Sequence, residues 1–261
     1  MEGWDAGSLL HLKIQPVFKM TRSNPDPSGL KTLEIFAKAR RFNQWLFKSF
    51  SSYCKGNILE VGSGTGNISK WLLETGNAVT LSDLREEYCR ILNEKFGHLA
   101  TLQDVFQLDL SDPSFDQKHP SLLDQFDTVV SLNVVEHIED DRMVIRNAIK
   151  LLRYKGRMII LLPAHQGLYN SFDKSLGHFR RYRRKELVSL LEGEGLEIIN
   201  SKYFNAAGIA GWWFYGSLLN REIIPAYSLR IFDLLVPFFK IIDLVLFRKL
   251  GLSVVAIAEK K

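Results

Sequence analysis

The chain has 261 residues, of which 46% are hydrophobic and 24% are charged, a composition that is ordinary for a globular protein and excludes wholesale disorder. The formal net charge is +5, and the five basic residues between Arg180 and Lys185 equal that entire excess. Because the positive charge is local, a surface that coats nucleic acid broadly is not expected.

Cysteine content and hydropathy narrow the cellular compartment and the class of protein that the sequence can represent. Cys54 and Cys89 lie in no CxxC motif and have no nearby histidine pair, so we expect neither a disulfide framework nor a bound metal ion. The first residues lack the pattern of a signal peptide, and no apolar run reaches the roughly 18–20 residues of a membrane span. The sequence therefore predicts a soluble, cytoplasmic protein, with peripheral membrane contact left open.

Predicted elements alternate along the chain. Residues 1–28 end in a loop-like Pro/Ser/Gly/Asn cluster, and apolar residues at helical spacing predict one amphipathic helix over 30–50. Strands are then predicted at 57–62, 78–83, 105–110, 126–133, 156–163, 196–204 and 252–260, and helices at 68–75, 86–96, 140–153 and 184–195. This alternation is typical of an α/β fold with a parallel, doubly wound sheet.

Residues 206–250 form an apolar insertion before the last strand that is longer than a normal connection. Its pattern predicts amphipathic helix, interrupted by Pro237. It fits a lid over a hydrophobic substrate, a dimer surface or a membrane-surface helix pair. We expect it to pack with the 30–50 helix as ordinary core, which is compatible with a lid.

A glycine-rich turn follows the first predicted strand. The segment "ILEVGSGTGNISKWL" (58–72) has a strand that ends in Glu60 and then Gly62, Gly64 and Gly66 before a helix. Glycine permits positive φ and close approach of a ligand to the backbone, and the helix N-terminus offers free N–H groups. The E-x-G-x-G-x-G spacing differs from the G-x-G-x-x-G dinucleotide pattern. Taken alone, the loop also fits a plain strand-to-helix turn.

Polar residues stand at the ends of the next three predicted strands. Asp83 can accept hydrogen bonds from both ribose hydroxyls of a nucleoside, or can cap the following helix. Asp109 can accept an adenine amino hydrogen, or can be a turn residue before a proline. Asn133, Glu136 and His137 follow the fourth strand. Because ligands of open α/β sheets bind at the carboxyl ends of the strands, these sites predict one ligand-binding edge.

The motifs "EVGSGTG", Asp83, "LDL" and "FDTVVSLNVVEHIED" together resemble the class I S-adenosylmethionine-dependent methyltransferases over about residues 55–205. The resemblance implies a Rossmann-like, seven-stranded, mostly parallel sheet with a reversed final hairpin, and S-adenosylmethionine as cofactor. It also implies an N-terminal extension and helix over 1–50 and a methyltransferase domain over 51–261. The segments "LYNSFDKSLGHFRRYRRKEL" and "YFNAAGIAGWW" are similar to a bacterial subgroup of type 11/12 methyltransferases.

The same resemblance implies a set of cofactor-binding residues. The segment from Glu60 to Gly66 would face the methionine portion, Asp83 would bind the ribose, Asp109 with Leu110 the adenine, and Asn133 would lie near the methionine end. The complete predicted set is Glu60, Gly62, Ser63, Gly64, Gly66, Asn67, Asp83, Leu84, Asp109, Leu110 and Asn133.

Candidate catalytic residues lie on the acceptor side. Methyl transfer from a sulfonium is an in-line displacement, in which the enzyme positions the nucleophile and excludes water. A hydroxyl or amine acceptor benefits from a general base, whereas a carboxylate needs none. His137 and His178 are candidate bases, although either can be structural. Tyr169 and Tyr182 can orient the acceptor or simply pack.

The basic segment "LGHFRRYRRKEL" follows the fifth predicted strand and should cross the mouth of the site. Arg180 and Arg181 can hold an anionic group of the acceptor through paired hydrogen bonds. Residues 183–185 are instead predicted to begin a helix as solvated surface charges.

We therefore expect methyl transfer to an oxygen or nitrogen, including a carboxylate, of a small or medium-sized acceptor with an apolar body and an anionic group. A natural product, a modified peptide and a lipid- or glycan-linked intermediate all fit. A non-catalytic cofactor-binding module and a nicotinamide-dependent oxidoreductase remain alternatives. A nucleic-acid partner is not expected, because neither an NPPY-like nor a paired-cysteine motif is present. Monomer and homodimer are both left open.

Overall fold

The computed structural model describes residues 27–261, within which seven strands form one sheet. The strands are β1 (Asn57–Val61), β2 (Ala78–Asp83), β3 (Leu102–Gln107), β4 (Phe126–Leu132), β5 (Leu152–Pro163), β6 (Leu196–Phe204) and β7 (Ser253–Lys260). Their order is β3-β2-β1-β4-β5-β7-β6, and neighbours are parallel except β7, which is antiparallel to β5 and β6. This confirms the predicted doubly wound, mostly parallel sheet with a reversed final hairpin.

Helices cover the two faces of this sheet. They are α1 (Pro27–Ala37), α2 (Arg40–Lys48), α3 (Ser69–Leu73), α4 (Glu86–Phe96), α5 (Phe115–Lys118), α6 (Asp141–Leu151), α7 (Ser171–Ser175), α8 (Arg184–Gly193), α9 (Gly208–Trp212) and α10 (Ala226–Val245). Because side chains alternate along a strand, Val129 and Ile160 join a core with α6 and α8, whereas Val130 and Ile159 join a second core with α2 and α3. Burial on both faces explains why the central strands are mostly apolar.

The predicted single helix over 30–50 is wrong in one respect, because the chain breaks between α1 and α2. Asn43 explains the break, since its side-chain amide donates a 2.8 Å hydrogen bond to the carbonyl of Phe36 near the end of α1. Ala39, at the break, is buried. The turn brings Phe42 against the rings of Phe204 and Phe232, each at a centroid distance of 6.0 Å.

The insertion packs on α2 through α10. The backbone N–H of Phe42 donates to Asp233 at 2.8 Å, and the Arg41 guanidinium donates to the carbonyl of Leu234 at 3.2 Å. The prediction that Pro237 interrupts this helix is wrong, because α10 continues through it. A helical proline removes the donor to the carbonyl four residues earlier, and Arg41 supplies a donor to the neighbouring carbonyl.

The turn after β3 helps to position the site. β3 ends at Gln107, short of the predicted residue 110, because the carboxylate of Asp109 accepts a hydrogen bond from the backbone N–H of Ser111 (2.9 Å) and turns the chain away. Within residues 27–261, none of the helices combines the length and apolarity needed to cross a membrane.

Candidate active site

A cavity of about 710 Å³ opens at the carboxyl ends of β1, β2 and β4. Its volume falls in the range of about 300–1,000 Å³ that is usual for small-molecule sites. One wall is the edge of the sheet, and the opposite wall is apolar and comes from α1, α2, α9 and α10. The residues of that apolar wall include Leu33, Phe36, Phe42, Leu46, Trp212, Leu229 and Phe232.

The glycine loop, residues 62–66, follows β1 and forms part of the sheet-edge wall. Gly62 has a φ of 72°, and a Cβ atom there would lie 2.3 Å from the side chain of Val134, so only glycine fits. The N–H of Ser63 donates to the carbonyl of Ser82 at 2.9 Å, which ties the loop to β2. Gly62, Ser63 and Gly64 line the cavity. Gly66 does not, because its Cα faces Phe96 behind the loop, so its predicted contact with the cofactor is not supported.

Asp83, at the end of β2, is buried and lines the cavity. Its carboxylate accepts hydrogen bonds from the backbone N–H groups of Gly64 (2.9 Å) and Arg85 (3.0 Å). Burial nevertheless raises its pKa above the usual value, because water is removed from the charged form. The ribose contact remains a prediction, and the structure adds a second role for Asp83 in holding the glycine loop.

Glu60 lies beneath the same loop. It is buried, its carboxylate accepts a hydrogen bond from the hydroxyl of Ser69, and burial raises its pKa to about 7. The carboxyl group is therefore poised between its neutral and charged forms near neutral pH.

The remaining predicted cofactor residues also line the cavity. Asn67 donates to the carbonyl of Leu33 at 2.9 Å and so joins the glycine loop to α1. Asn133 has a φ of 55° directly after β4, a conformation that asparagine tolerates better than most residues. Leu84, Asp109 and Leu110 complete the set.

These residues fit S-adenosylmethionine. The glycines leave room for a ligand against the backbone, since a Cβ at Gly64 would approach Leu33 to 3.1 Å at the cavity wall. Two carboxylates, Asp83 and Asp109, line the same wall as acceptors for hydroxyl and amino groups, and Leu84 and Leu110 offer apolar surface for a base.

A buried polar network lies on the acceptor side. His178 Nδ1 is 2.8 Å from Asp173 Oδ1, and Arg181 Nε donates to the same oxygen at 2.9 Å. Arg181 also donates to the carbonyl of Ala164 (2.8 Å), and its guanidinium lies 4.7 Å from the ring centroid of Trp212. Although burial raises it, the hydrogen bond from His178 and the charge of Arg181 hold the pKa of Asp173 below its usual range.

His137 stands next to this network, its ring edge-to-face with that of His178 at a centroid distance of 4.6 Å. Burial and the neighbouring His178 lower the pKa of His137 to about 3, so the ring is neutral near neutral pH. Both histidines line the cavity, which places both candidate bases where an acceptor would lie.

The two tyrosines predicted to orient the acceptor lie outside the cavity. The Tyr169 hydroxyl donates to the carbonyl of His178 at 2.7 Å, and the Tyr182 hydroxyl donates to Asp141 at 3.0 Å. Neither lines the cavity, so their positions do not support direct contact with an acceptor. Burial and the Asp141 carboxylate raise the pKa of Tyr182.

The basic segment divides into three parts. Arg181 is buried in the network, Arg180 pairs with Asp141 at 3.0 Å, and the remaining basic residues begin α8 at the surface. Within α8's first turn, Glu186 accepts a hydrogen bond from the N–H of Arg183 at 2.7 Å. The predicted helix start is correct, and the two arginines proposed for an anion both have carboxylate partners.

Sequence reasoning placed Glu136 at the ligand-binding edge without a role and missed Asp173 as part of this site. Glu136 has no exposed surface, and burial raises its pKa to about 7 against the opposing charge of His178. The motif "VVEHIED" contains Glu136 beside His137, which is the only signal that the sequence offers for it. Asp173 gives no signal, because its contact with His178 depends on the turn at 176–177.

Comparison with known proteins gives consistent matches. A family model described as a methyltransferase domain matches residues 59–158. The methyltransferase OMS1, mitochondrial, of Saccharomyces cerevisiae is 28% identical over 191 residues, which are 64% of this chain and 38% of that protein. A ubiquinone biosynthesis O-methyltransferase of Xanthomonas euvesicatoria is 28% identical over 103 residues, which are 40% of this chain and 41% of that protein. The chain thus spans about two fifths of the length of these curated relatives.

Solved structures share the fold. A putative sarcosine dimethylglycine methyltransferase from Galdieria sulphuraria superposes with a TM-score of 0.57 at 16% identity, covering 85% of this chain and 86% of that one. An S-adenosylmethionine-dependent methyltransferase from Archaeoglobus fulgidus gives a TM-score of 0.54 at 18% identity, covering 84% and 94%.

The sheet order, the glycine loop and the acidic strand ends define a Rossmann-like, cofactor-binding α/β domain. The family match adds a likeness to methyltransferase domains over residues 59–158. The residues that line the cavity at the strand ends fit S-adenosylmethionine as the cofactor.

Proposed function

We propose that this protein transfers a methyl group from S-adenosylmethionine to an oxygen or nitrogen of a small or medium-sized acceptor with an apolar body and an anionic group. The observation that carries the proposal is the composition of the cavity. Its sheet-edge wall holds the predicted cofactor residues, and its opposite wall is apolar, with two histidines between them.

On the cofactor side, Gly62 and Gly64 would lie against the methionine portion, Asp83 would accept hydrogen bonds from the ribose, and Asp109 with Leu110 would contact the adenine. The bound cofactor supplies an electrophilic methyl group on a sulfonium. The protein's part is to hold the acceptor in line with that methyl group and to exclude water, which the closed apolar wall favours.

On the acceptor side, the aromatic side chains of α2 and α10 favour an apolar body, and the histidines favour a polar reacting group. The low pKa of His137 keeps its ring neutral at neutral pH, so the ring can accept a hydrogen bond from the acceptor but is a weak base. The name of the Xanthomonas relative, an O-methyltransferase, supports an oxygen acceptor. A natural product, a modified peptide, and a lipid- or glycan-linked intermediate remain the proposed classes.

The anionic group needs a partner other than a free arginine. Arg181 lines the cavity, but its charge is offset by Asp173, and Arg180 is paired with Asp141. We therefore propose that an acceptor anion approaches the Arg181 side of the cavity through directed hydrogen bonds, rather than through a cluster of unpaired charge.

Binding and transfer assays test the proposal against its two alternatives. We expect S-adenosylhomocysteine to bind and NAD not to bind, and labelled methyl groups to pass from S-adenosylmethionine to a component of a cell extract. NAD binding in place of S-adenosylhomocysteine would favour the oxidoreductase. Cofactor binding without transfer to any fraction would favour the non-catalytic module.

We also propose a peripheral contact with an anionic membrane surface through α10. Six apolar side chains at helical spacing form an exposed stripe along it, at Tyr227, Ile231, Leu234, Phe238, Ile241 and Val245. Basic residues accompany the stripe at Arg230, Arg248 and Lys249, whereas Asp233 and Asp243 accept backbone hydrogen bonds. An apolar face flanked by basic residues is typical of helices that lie on anionic lipid. A homodimer that forms through the same stripe also remains a proposal. A cytoplasmic location is a separate proposal.

A further inference from the structure

Glu136, His137 and His178 converge where the acceptor side of the cavity meets the end of β4. One potential ligand atom from each side chain lies within 4.8 Å of the other two. We propose that these three residues bind a divalent first-row transition-metal ion, such as Zn²⁺ or Mn²⁺, whose open coordination positions take an oxygen atom of the acceptor.

The state of Glu136 is the first argument. Its side chain is completely buried, and within residues 27–261 neither carboxylate oxygen has a hydrogen-bond partner. A buried carboxylate without a partner is unfavourable, and buried charges in proteins are usually paired or bound to metals. His178 Nε2 is 4.0 Å from Glu136 Oε1, beyond hydrogen-bond distance. The gap between these atoms leaves a position for an ion that both could bind.

The orientation of His178 is the second argument. Because Asp173 is an acceptor, His178 Nδ1 must carry the proton of their 2.8 Å hydrogen bond, and the Nε2 lone pair then points toward Glu136. Histidines that bind metals commonly donate their other ring N–H to a carboxylate in this way, which fixes the tautomer and raises the basicity of the ligand. Arg181 and the N–H of Asn170 hold Asp173 in turn.

His137 supplies the third ligand. Its Nδ1 is buried and has no hydrogen-bond partner among the described residues. Two imidazoles and one carboxylate form a donor set that suits zinc, manganese, iron or cobalt, whereas magnesium and calcium prefer oxygen ligands. The set contains three protein ligands, which is the number in catalytic zinc sites that keep a position open.

The open side of this cluster faces the cavity. His137 and His178 both line it, and Glu136 lies behind them. An ion held there would therefore present its remaining positions to the acceptor. It would bind a carboxylate oxygen directly, and it would lower the pKa of a bound hydroxyl so that its proton can pass to water. This role in acceptor binding rests on the proposed methyltransferase function, whereas the metal site itself does not.

Metal binding to the purified full chain, first stripped with a chelator, tests the site directly. We expect equilibrium dialysis with elemental analysis to find one Zn²⁺ per chain, and Co²⁺ to give the visible absorption bands of a protein-bound ion. In Glu136→Gln, which keeps the shape of the side chain, we expect binding to fall by more than about 10-fold, in the range that changes near a metal site produce. The matched control is His98→Asn, because His98 is an exposed histidine that follows the end of α4 and does not line the cavity.

The shift of the thermal unfolding midpoint on addition of Zn²⁺ is a second measurement. Glu136→Gln would keep this shift if Glu136 had only a structural role. We expect Zn²⁺ to raise the midpoint of the wild type and of His98→Asn, and to leave that of Glu136→Gln unchanged. Absence of stoichiometric binding to the wild type, or equal binding by Glu136→Gln, would overturn the proposal. S-adenosylhomocysteine binding, measured on the same samples, separates the two proposals. Cofactor binding without metal binding refutes only the metal site, and metal binding without cofactor binding refutes only the methyltransferase function.

Discussion

The carboxylate of Asp83 accepts a 2.9 Å hydrogen bond from the backbone N–H of Gly64, so the residue predicted to bind the ribose also fixes the glycine loop that lies against the methionine portion. Both halves of the cofactor site thus depend on one buried side chain. A change at Asp83 should affect the whole cofactor rather than the ribose alone.

Asp83→Asn is expected to weaken S-adenosylhomocysteine binding by about 1–3 kcal/mol, because an amide can serve only part of the hydrogen bonds that the carboxylate accepts. Isothermal titration calorimetry measures the loss. Asp104→Asn, an exposed aspartate on the neighbouring strand β3, is the control and should bind normally. Unchanged affinity in Asp83→Asn would refute the ribose assignment.

Glu60→Gln is expected to change how stability depends on pH. The pKa of Glu60 is about 7 in the folded protein against 4.5 as its ordinary value. The folded state therefore holds a proton that the unfolded state has lost, and the free energy of unfolding of the wild type falls as pH rises between these values. At about 1.4 kcal/mol for each pKa unit, the loss approaches about 3 kcal/mol above pH 7.

Glutamine does not titrate, so the variant should gain stability relative to the wild type as pH rises through that window. Urea unfolding of both proteins without cofactor, at about pH 5 and about pH 8, measures the difference. Parallel pH profiles for the two proteins would show that Glu60 has an ordinary pKa.

Arg181→Gln is expected to lower the free energy of unfolding by about 3–5 kcal/mol, because it leaves the buried carboxylate of Asp173 without its cationic partner. Lys185→Gln, four positions later and exposed, should change it by less than about 0.5 kcal/mol. Chemical denaturation of both variants makes the comparison. Equal effects would mean that the basic segment acts as one surface patch.

Phe238→Glu is expected to abolish flotation of the protein with vesicles that contain anionic lipid, because Phe238 is 64% exposed in the apolar stripe of α10. Tyr154→Glu is the control, since Tyr154 is 73% exposed but lies on β5. If the wild type stays off the vesicles, or if Phe238→Glu converts a dimer to a monomer in solution without changing flotation, the stripe is not a membrane contact.

The sequence predicts the sheet and its cofactor edge because both depend on local signals. The second half of β5 is a continuous apolar run from Met158 to Leu162, and the glycine loop has to follow β1 closely. Asp83 could be placed at a strand end for the same reason. The position of Gly66 behind the loop, against Phe96, could not, since it depends on how α4 packs.

The acceptor side was harder to predict because its contacts join distant segments. Glu136 meets Asp173 and Arg181 only after β4 and β5 are adjacent, and no periodicity in the sequence encodes these distances. The basic segment looked like one feature for the opposite reason. Its residues are consecutive, yet they separate into a buried ion pair, a partly buried one and a helix start.

Asn67 joins the glycine loop to α1 through its hydrogen bond to Leu33, and α1 also lines the cavity. Because this hydrogen bond ties α1 to the loop, a shift of α1 would disturb the loop as well. Exchange of spent for fresh cofactor is then expected to depend on how freely α1 can shift. The rate of cofactor exchange would in that case depend on the hydrogen bond that one asparagine makes to a neighbouring helix.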